Sequence, residues 1–278
     1  MKSNIDLMNL FWTTSGVTPG VSEISRFDFK DRVEAAARAG FIGIGIWHTD
    51  LDHVLLSRPL KEMKMILDDN GMKYLELEFL TDWFLDGERK RESDRRMRRL
   101  LEAAEVLRAK HIKIGDFYNT PYSMPRAIES FAVLCAQAWN VGTTIGFEFM
   151  ASSMIDNLKD ALTLVESAGA ENGGIILDIV HVVTLGITYD EISRIPLKYL
   201  LNIELNDGLL PGSPGYDPSQ RAFCGEGQFD IKGLIRCAQN MGYAGPWAVE
   251  VFSEEYAGLP LDELSTRAFE TTLAQFTD

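Results

Sequence analysis

Short apolar runs alternate with longer amphipathic segments along the whole chain. The runs predict eight strands, at residues 5–12, 41–47, 72–80, 111–116, 143–149, 173–181, 199–205 and 246–252. The intervening segments predict helices at residues 28–39, 60–67, 88–109, 125–140, 156–168, 189–193, 230–241 and 261–276. Runs that are apolar at almost every position are typical of parallel strands buried on both faces. Eight strand–helix pairs without a low-complexity break predict an α/β fold, a single (β/α)8 TIM barrel spanning residues 1–278.

One connection between these elements is long and irregular. It runs from residue 207 to residue 229 and contains Pro211, Pro214 and Pro218 together with several glycines. Loops of this length in a compact domain usually serve a function, often as lids over a site. We therefore expect this loop to border the functional site.

The charge of the chain argues against a nucleic-acid partner. Lys and Arg number 27 and Asp and Glu number 41, which gives a formal charge of −14. Binding to a phosphate backbone requires clustered basic residues. Basic residues are dense in the helix at 88–109, but acidic residues are interleaved with them. That mixture is typical of a solvated outer helix with charge pairs three and four residues apart.

The sequence also favours a reduced cytoplasmic setting without a membrane partner. The three cysteines, Cys135, Cys224 and Cys237, show no C-x-x-C spacing, which fits a reducing compartment. The first residues lack the basic-then-apolar order of a signal peptide. No apolar run approaches the length of a membrane helix.

The segment 173–181 is the first candidate for chemistry. Its apolar run, from Ile175 to Leu177, is followed by Asp178 and then by His181. In a parallel barrel, catalytic groups lie where strands end and βα loops begin. The alternative is that Asp178 only caps the next helix and His181 is an ordinary packed histidine.

Three other predicted strands end in the same way as this one. Glu148, Glu204 and Glu250 each lie between apolar residues near the end of a strand. Side chains alternate along a strand, so Glu148 and Glu250 would point into the barrel with their small neighbours Gly146 and Ala248. A carboxylate in an apolar barrel mouth is costly unless a cation binds it. Four converging acids therefore predict a divalent metal site, although each alone could be a helix cap.

The pattern resembles the sugar phosphate isomerase/epimerase superfamily of xylose-isomerase-like barrels, which includes ketose 3-epimerases, inosose enzymes and endonuclease IV. The resemblance covers nearly the whole chain. Its most specific parts are Glu148, Asp178 with His181, the segment 203–207, the loop 221–227 and the segment 249–251.

The resemblance implies a set of roles. Residues matching Glu148, Asp178 and Glu250 bind one divalent metal, and the two glutamates also act as acid and base. The residues matching His181 and Arg221 bind substrate.

Glu204 departs from the resemblance, because many relatives have histidine there. An all-carboxylate set favours Mn²⁺ or Mg²⁺, with Co²⁺ or Zn²⁺ as alternatives. Either Glu204 or Asn206 is then the fourth metal ligand.

These residues imply proton transfer next to a substrate carbonyl. Glu148 and Glu250 would remove and return a carbon-bound proton through an enediolate, which gives isomerisation or epimerisation. No glycine-rich, lysine-bearing loop that would bind phosphate is present. The expected substrate is therefore a sugar, keto-sugar or cyclic polyol without phosphate. Trp12 and His48, beside predicted strand ends, are further candidates for the substrate pocket.

Three alternatives remain at this stage. A metal-dependent dehydratase or lyase, acting on a related keto-polyol or keto-glycoside, would begin with the same proton abstraction. A DNA-repair endonuclease would need a histidine-rich zinc site and a basic face, and the chain has four histidines and a strongly acidic balance. A non-catalytic barrel subunit would not need the retained acids. The oligomeric state is not encoded in these patterns, and a homo-oligomer is compatible with them.

Overall fold

Eight parallel strands close into a barrel in the computed structural model, which describes residues 5–277. Each strand pairs with its sequence neighbours, and β1 pairs with β8 to complete the ring. The strands are β1 (Leu7–Asn9), β2 (Gly43–Trp47), β3 (Tyr74–Leu80), β4 (His111–Ile114), β5 (Thr144–Glu148), β6 (Gly173–Asp178), β7 (Leu200–Leu205) and β8 (Trp247–Val249). The predicted fold class is confirmed.

Helices connect the strands and cover the outside of the barrel. They are α1 (Phe11–Thr14), α2 (Phe29–Ala39), α3 (His48–Val54), α4 (Leu60–Asp69), α5 (Gly87–Leu107), α6 (Met124–Trp139), α7 (Leu158–Ala168), α8 (Ile179–Leu185), α9 (Tyr189–Ile192), α10 (Ile231–Met241) and α11 (Leu261–Leu273). Two 3₁₀ turns, Leu197–Tyr199 and Ala274–Phe276, complete the set. Within residues 5–277, no helix is both long enough and apolar enough to cross a bilayer.

Helix ends follow the local chemistry of the sequence. Asp28 caps α2, because its carboxylate accepts a hydrogen bond from the Lys30 N–H. Gly40 ends α2 with a φ of 116°, a conformation that suits glycine, and its N–H bonds back to the last turn. Asn157 caps α7 in the same manner as Asp28. Asp28 and Asn157 thus mark where their helices begin, and Gly40 marks where α2 ends.

The structure differs from the sequence pattern in three short helices. The predicted first strand stops at Asn9, and Phe11–Thr14 forms α1. Helices α3 and α8 begin directly after β2 and β6, where no helix was predicted. Each has only seven residues or fewer, which is too short for a clear helical period in the sequence. All three lie at the end of the barrel that carries the candidate site.

Side-chain alternation divides the barrel into a charged interior and an apolar exterior. On β3, Leu75 and Leu77 pack in the main hydrophobic core, whereas Glu76 and Glu78 contact charged groups inside the barrel. Gly45 on β2 provides room for this interior, because a Cβ there would lie 2.3 Å from Glu78 Oε1. The barrel axis is therefore lined by ionisable groups, and the outer faces of the strands bind the helices.

Candidate metal centre and active-site cleft

The carboxyl ends of strands β5 to β8 bring four acidic side chains together. Glu148 and Asp178 end β5 and β6, Glu204 is next to last in β7, and Glu250 directly follows β8. One oxygen from each lies within 4.8 Å of the others, and all four residues are buried. Asp178 and Glu204 are direct register partners, so their strands present the acids at the same level. The four acids singled out in the sequence thus form one cluster at the barrel mouth.

The loop after β7 is folded by the Asp207 carboxylate. Asp207 Oδ2 accepts a hydrogen bond of 2.8 Å from the Gly225 N–H, and Oδ1 accepts one of 2.9 Å from the Phe229 N–H. Asp207 and Ala222 also form two backbone hydrogen bonds, of 2.9 and 2.7 Å. These bonds close the loop on itself and place Arg221 beside the acidic cluster.

Arg221 and His181 both contact the cluster, where the sequence predicts substrate-binding groups. Arg221 Nη1 donates to Asp178 Oδ2 at 2.9 Å and to Glu250 Oε2 at 2.7 Å. His181 Nε2 lies 3.3 Å from Glu148 Oε1. Asp178 also accepts a hydrogen bond from the backbone N–H of Val180, so it caps α8 while belonging to the cluster. The capping and site interpretations of Asp178 are therefore compatible.

Glu204 belongs to the four-acid cluster, and Asn206 follows directly after the end of β7. The Asn206 side-chain amide donates a 2.8 Å hydrogen bond to Asp178 Oδ1. Glu204 Oε2 and Asn206 Oδ1 are both buried without a hydrogen-bond partner. Asn206 thus contacts an acid of the cluster, and each of the two residues has an unused acceptor oxygen.

A buried lysine lies beneath the four acids. The Lys113 ammonium donates hydrogen bonds of 2.9 Å to Glu204 and Glu250. Three more carboxylates surround the same nitrogen: Glu78 at 3.1 Å, Glu76 at 3.3 Å and Glu148 at 3.7 Å. Only 1% of the Lys113 side chain is exposed. One cation therefore links the mouth of the barrel to acids deeper along its axis.

A polar layer continues below Lys113. The carboxylate of Glu76 contacts His111 Nε2 and accepts a hydrogen bond of 3.1 Å from the Asn202 side chain. All three residues are fully buried. His111 is therefore a structural residue of the barrel interior.

The surroundings move the pKa values of the four acids in different directions. Burial alone would raise the pKa of Glu148, but Lys113 and His181 together lower it to about 2. Burial raises the pKa of Glu204 well above its usual value, against the opposing effect of Lys113. The pKa of Glu250 is also raised by burial, although Lys113 and Arg221 oppose the shift. Glu148 and Glu250 thus differ in proton affinity across one site.

The residues present fit a divalent cation. Six carboxyl groups face the interior, against one lysine and one arginine, so acidic groups outnumber basic ones. Glu204 Oε2, which is buried and unpaired, is an open oxygen ligand. Hard cations such as Mn²⁺ and Mg²⁺ prefer carboxylate oxygens. The donor set is therefore chemically suited to hold a divalent cation.

An open cleft of about 590 Å³ leads to the cluster. Glu148, Glu250, His181 and Arg221 line it, together with a group of aromatic side chains: Trp12, Trp47, Phe79, Phe117, Tyr118 and Phe252. Trp12 thus borders the cleft, as the sequence predicts for a pocket residue.

His48 lies in the protein interior beside the cleft-lining Trp47. Its Nδ1 accepts a 3.4 Å hydrogen bond from the Phe79 N–H, and it is not among the residues that line the cleft. Burial lowers the pKa of His48 to about 3. The imidazole is therefore a neutral, buried acceptor.

The interior charges of β3 and β4 are not among the site residues predicted from the sequence. Glu76, Glu78 and Lys113 belong to predicted strands, but no role was assigned to their charges. A signal is present, because Glu alternates with Leu in residues 75–78 and Lys113 lies between two isoleucines. In a strand buried on both faces, a polar residue at every second position indicates a polar barrel interior.

Comparisons with known proteins agree with this architecture. The family model of the xylose isomerase-like TIM barrel matches residues 33–272. The solved structure of IolI protein with a bound zinc atom superposes with a TM-score of 0.84 and 18% identity, covering 98% of both chains. D-psicose 3-epimerase in the presence of D-fructose has a TM-score of 0.75 and 14% identity, covering 96% of this chain and 97% of the other.

Similar sequences include two kinds of enzyme. The 3-dehydroshikimate dehydratase of Pseudomonas aeruginosa is 25% identical over 241 residues, which are 83% of this chain and 37% of that protein. Inosose isomerase of Halalkalibacterium halodurans is 22% identical over 134 residues, or 48% of each chain. The matched regions thus cover less than half the length of each of these two relatives. Because the family model covers most of the sequence, the chain belongs to the xylose isomerase-like TIM barrel family.

Proposed function

We propose that the protein is a divalent-metal-dependent enzyme that isomerises or epimerises a sugar, keto-sugar or cyclic polyol. The observation that carries this proposal is the cluster of four buried carboxylates at the end of a cleft large enough for a small-molecule substrate. Four acids so close together are costly in a buried site unless they serve a cation. The proposal assigns metal binding to Glu148, Asp178, Glu204 and Glu250.

The metal and the protein have separate tasks in this proposal. A bound divalent ion, with Mn²⁺ or Mg²⁺ the best match to the oxygen ligands, would stabilise negative charge that develops on substrate oxygens. Glu148, which lines the cleft, would accept a proton from the carbon next to the substrate carbonyl. Glu250, which also lines the cleft, would return a proton to the substrate. Glu148 ends β5 and Glu250 directly follows β8, so the two glutamates would reach the substrate from different strands.

His181 and Arg221 would bind and orient the substrate. Both line the cleft and both contact a carboxylate of the cluster, so their positions are fixed before substrate arrives. A fixed donor contributes more to the transition state than one that must first be ordered. The two residues would therefore hold substrate oxygens while the proton moves.

Elimination is the second candidate reaction. The similarity to a 3-dehydroshikimate dehydratase over 83% of this chain favours it. A dehydratase would use the same first step, removal of a proton next to a carbonyl, and would then lose a hydroxyl group as water. The two reactions differ only in what happens to the neighbouring C–O bond.

Incubation of the metal-loaded protein with ketoses and inososes in D₂O tests the shared step. Proton NMR should show deuterium entering at the carbon next to the carbonyl, with a new epimer or isomer for the first candidate. Loss of water with a new conjugated absorbance indicates the second candidate.

Glu148→Gln and Glu250→Gln should each lower the exchange rate at least 100-fold, because a general acid or base contributes about 10²–10⁴-fold. Glu129→Gln, on the exposed face of α6, is the control and should leave the rate unchanged. Full exchange activity in both cluster variants would contradict the assignment.

A further inference from the structure

A column of stacked aromatic rings runs from the barrel interior to the opening of the cleft. The rings of Trp47 and Phe79 are 6.0 Å apart at 17°, and those of Phe79 and Phe117 are 4.5 Å apart at 24°. Phe79 is 1% exposed, whereas Phe117 is 38% exposed and Tyr118 is 64% exposed. The column therefore presents its outermost ring to solvent inside the cleft.

A second aromatic group extends the column beside the metal-binding acids. Trp12 contacts Trp47 at 5.0 Å and Phe252 at 5.5 Å between ring centroids, both edge to face. The Arg221 guanidinium lies 3.9 Å from the centre of the Phe252 ring. Since Arg221 also bonds to Asp178 and Glu250, the aromatic wall begins at the cluster itself. A ligand held by the acids would thus meet apolar rings immediately beyond its reacting end.

The charged groups of the cleft do not favour an anionic ligand. Among the described residues that line it, Arg221 is the only lysine or arginine, and it is 6% exposed and already bonded to two carboxylates. Glu23 and Glu254 add exposed acids to the lining. A phosphate or carboxylate placed outside the cluster would lack a free cation and face like charges. The part of the ligand beyond the reacting ring therefore does not carry a negative charge.

We infer that the substrate carries an aromatic or similarly flat apolar group on its sugar or polyol ring, as in an aryl glycoside. The inference rests on the proposed function, because it takes the cleft as the active site. The polar ring lies against the acids, and the apolar group stacks on Phe117 at the cleft mouth. A volume of about 590 Å³ is in the range of drug-sized ligands and leaves space beyond a single sugar ring. Offset stacking of aromatic groups adds to the burial of their surface.

Binding of matched glycosides tests this inference without any turnover. Isothermal titration calorimetry would compare phenyl β-D-glucopyranoside, methyl β-D-glucopyranoside and glucose 6-phosphate, each with the Mn²⁺-loaded protein and with protein in EDTA. The phenyl glycoside should bind at least tenfold more tightly than the methyl glycoside in both conditions, and glucose 6-phosphate should bind most weakly. Equal affinities of the phenyl and methyl glycosides would overturn the inference.

Substitution of the outermost ring locates the effect. Phe117→Ala should reduce the preference for phenyl to less than about threefold with little change for methyl, because it removes the stacking surface alone. Phe117→Leu should retain part of the preference. The control is Trp139→Ala, since Trp139 is 60% exposed on α6 and does not line the cleft. A phenyl preference that survives in Phe117→Ala contradicts the proposed contact.

The two proposals fail separately in this design. A protein that binds no metal and exchanges no proton disproves the proposed function, yet its preference for phenyl in EDTA remains measurable. A metal-loaded, active protein without that preference disproves only the aromatic substituent.

Discussion

Helix α5 and the barrel interior contain the same charged residue types in opposite settings. On α5, Arg91 pairs with Glu88 three residues away, and their side chains are 63% and 72% exposed. In the interior, Lys113 contacts five carboxylates and is 1% exposed. Exposed pairs contribute about 0–1 kcal/mol because water screens them. Buried charges cost several kcal/mol to desolvate, so substitutions in the interior set should change stability far more than substitutions on α5.

The comparison predicts that the largest effect comes from Lys113. Lys113→Met would leave the surrounding buried carboxylates without their shared cation, and breaking a buried pair typically costs about 3–5 kcal/mol. Urea unfolding in the presence of EDTA measures the free energy of unfolding. The matched control is Lys110→Met, because Lys110 is exposed and directly precedes β4. This substitution should change the free energy of unfolding by less than about 0.5 kcal/mol. Equal effects of the two substitutions would mean that the interior charges act like those on α5.

The second-largest loss of stability is expected where a glycine leaves space for the interior charges. Gly45→Ala would place a Cβ 2.3 Å from Glu78 Oε1, and forcing extra atoms into a packed interior costs about 1–3 kcal/mol. Gly258→Ala is the control, because no atom lies within 4 Å of a Cβ there. The melting temperatures of the two variants should differ clearly. A Gly45→Ala variant as stable as Gly258→Ala would show that Glu78 is free to move.

The buried, neutral His48 predicts a smaller effect, which is a dependence of folding stability on pH. The pKa of His48 is about 3 in the folded protein because of burial, against 6.5 for its ordinary value. The unfolded state therefore binds the extra proton, and folding stability falls as the pH drops below about 6.5. The loss attributable to His48 is about 2 kcal/mol at pH 5.

Unfolding measured between pH 7 and pH 5 checks this dependence. His48→Gln should lose less stability over that range than the unmodified protein. His53→Gln, at an exposed position of α3, should lose as much as the unmodified protein does. Parallel pH profiles for all three proteins would contradict a buried neutral imidazole at His48.

The smallest effect belongs to the outer helix. Arg91→Gln removes a pair with Glu88 on the exposed face of α5, and such a pair contributes about 0.2–0.5 kcal/mol to a helix. The change in the free energy of unfolding should shrink further in 0.5 M salt, because salt screens exposed charges. A loss above about 1 kcal/mol, insensitive to salt, would remove the contrast between the two regions.

Much of the barrel follows from the hydrophobic pattern, and the reasons are local. Uniformly apolar runs such as 175–177 have no stable place except a buried strand, and Asp28 and Gly40 mark the ends of α2 chemically. Helices α1, α3 and α8 were not predicted, because helices of one or two turns leave no clear period in the sequence. Their stability comes from packing at the barrel mouth.

Some residues of the candidate site could also be predicted from the sequence, and others could not. Glu148, Asp178, Glu204 and Glu250 were identified because each interrupts an apolar strand end, and topology then brings the four ends together. Lys113 was missed because its role depends on carboxylates from other strands, far away in the sequence. His48 was selected from its place after a strand, but its ring faces the Phe79 backbone. The direction of a side chain depends on packing, which a single sequence does not specify.

Metal binding by the four acids can be measured on the purified protein. Purified protein would be stripped with EDTA, reloaded separately with Mn²⁺, Mg²⁺, Co²⁺ and Zn²⁺, and examined by elemental analysis alongside thermal melting. We expect about one equivalent of a divalent ion, a higher melting temperature with metal than in EDTA, and loss of both in Asp178→Asn/Glu250→Gln. Absence of bound metal, with no stabilisation by any of the four ions, would mean that the four acids do not form a metal centre.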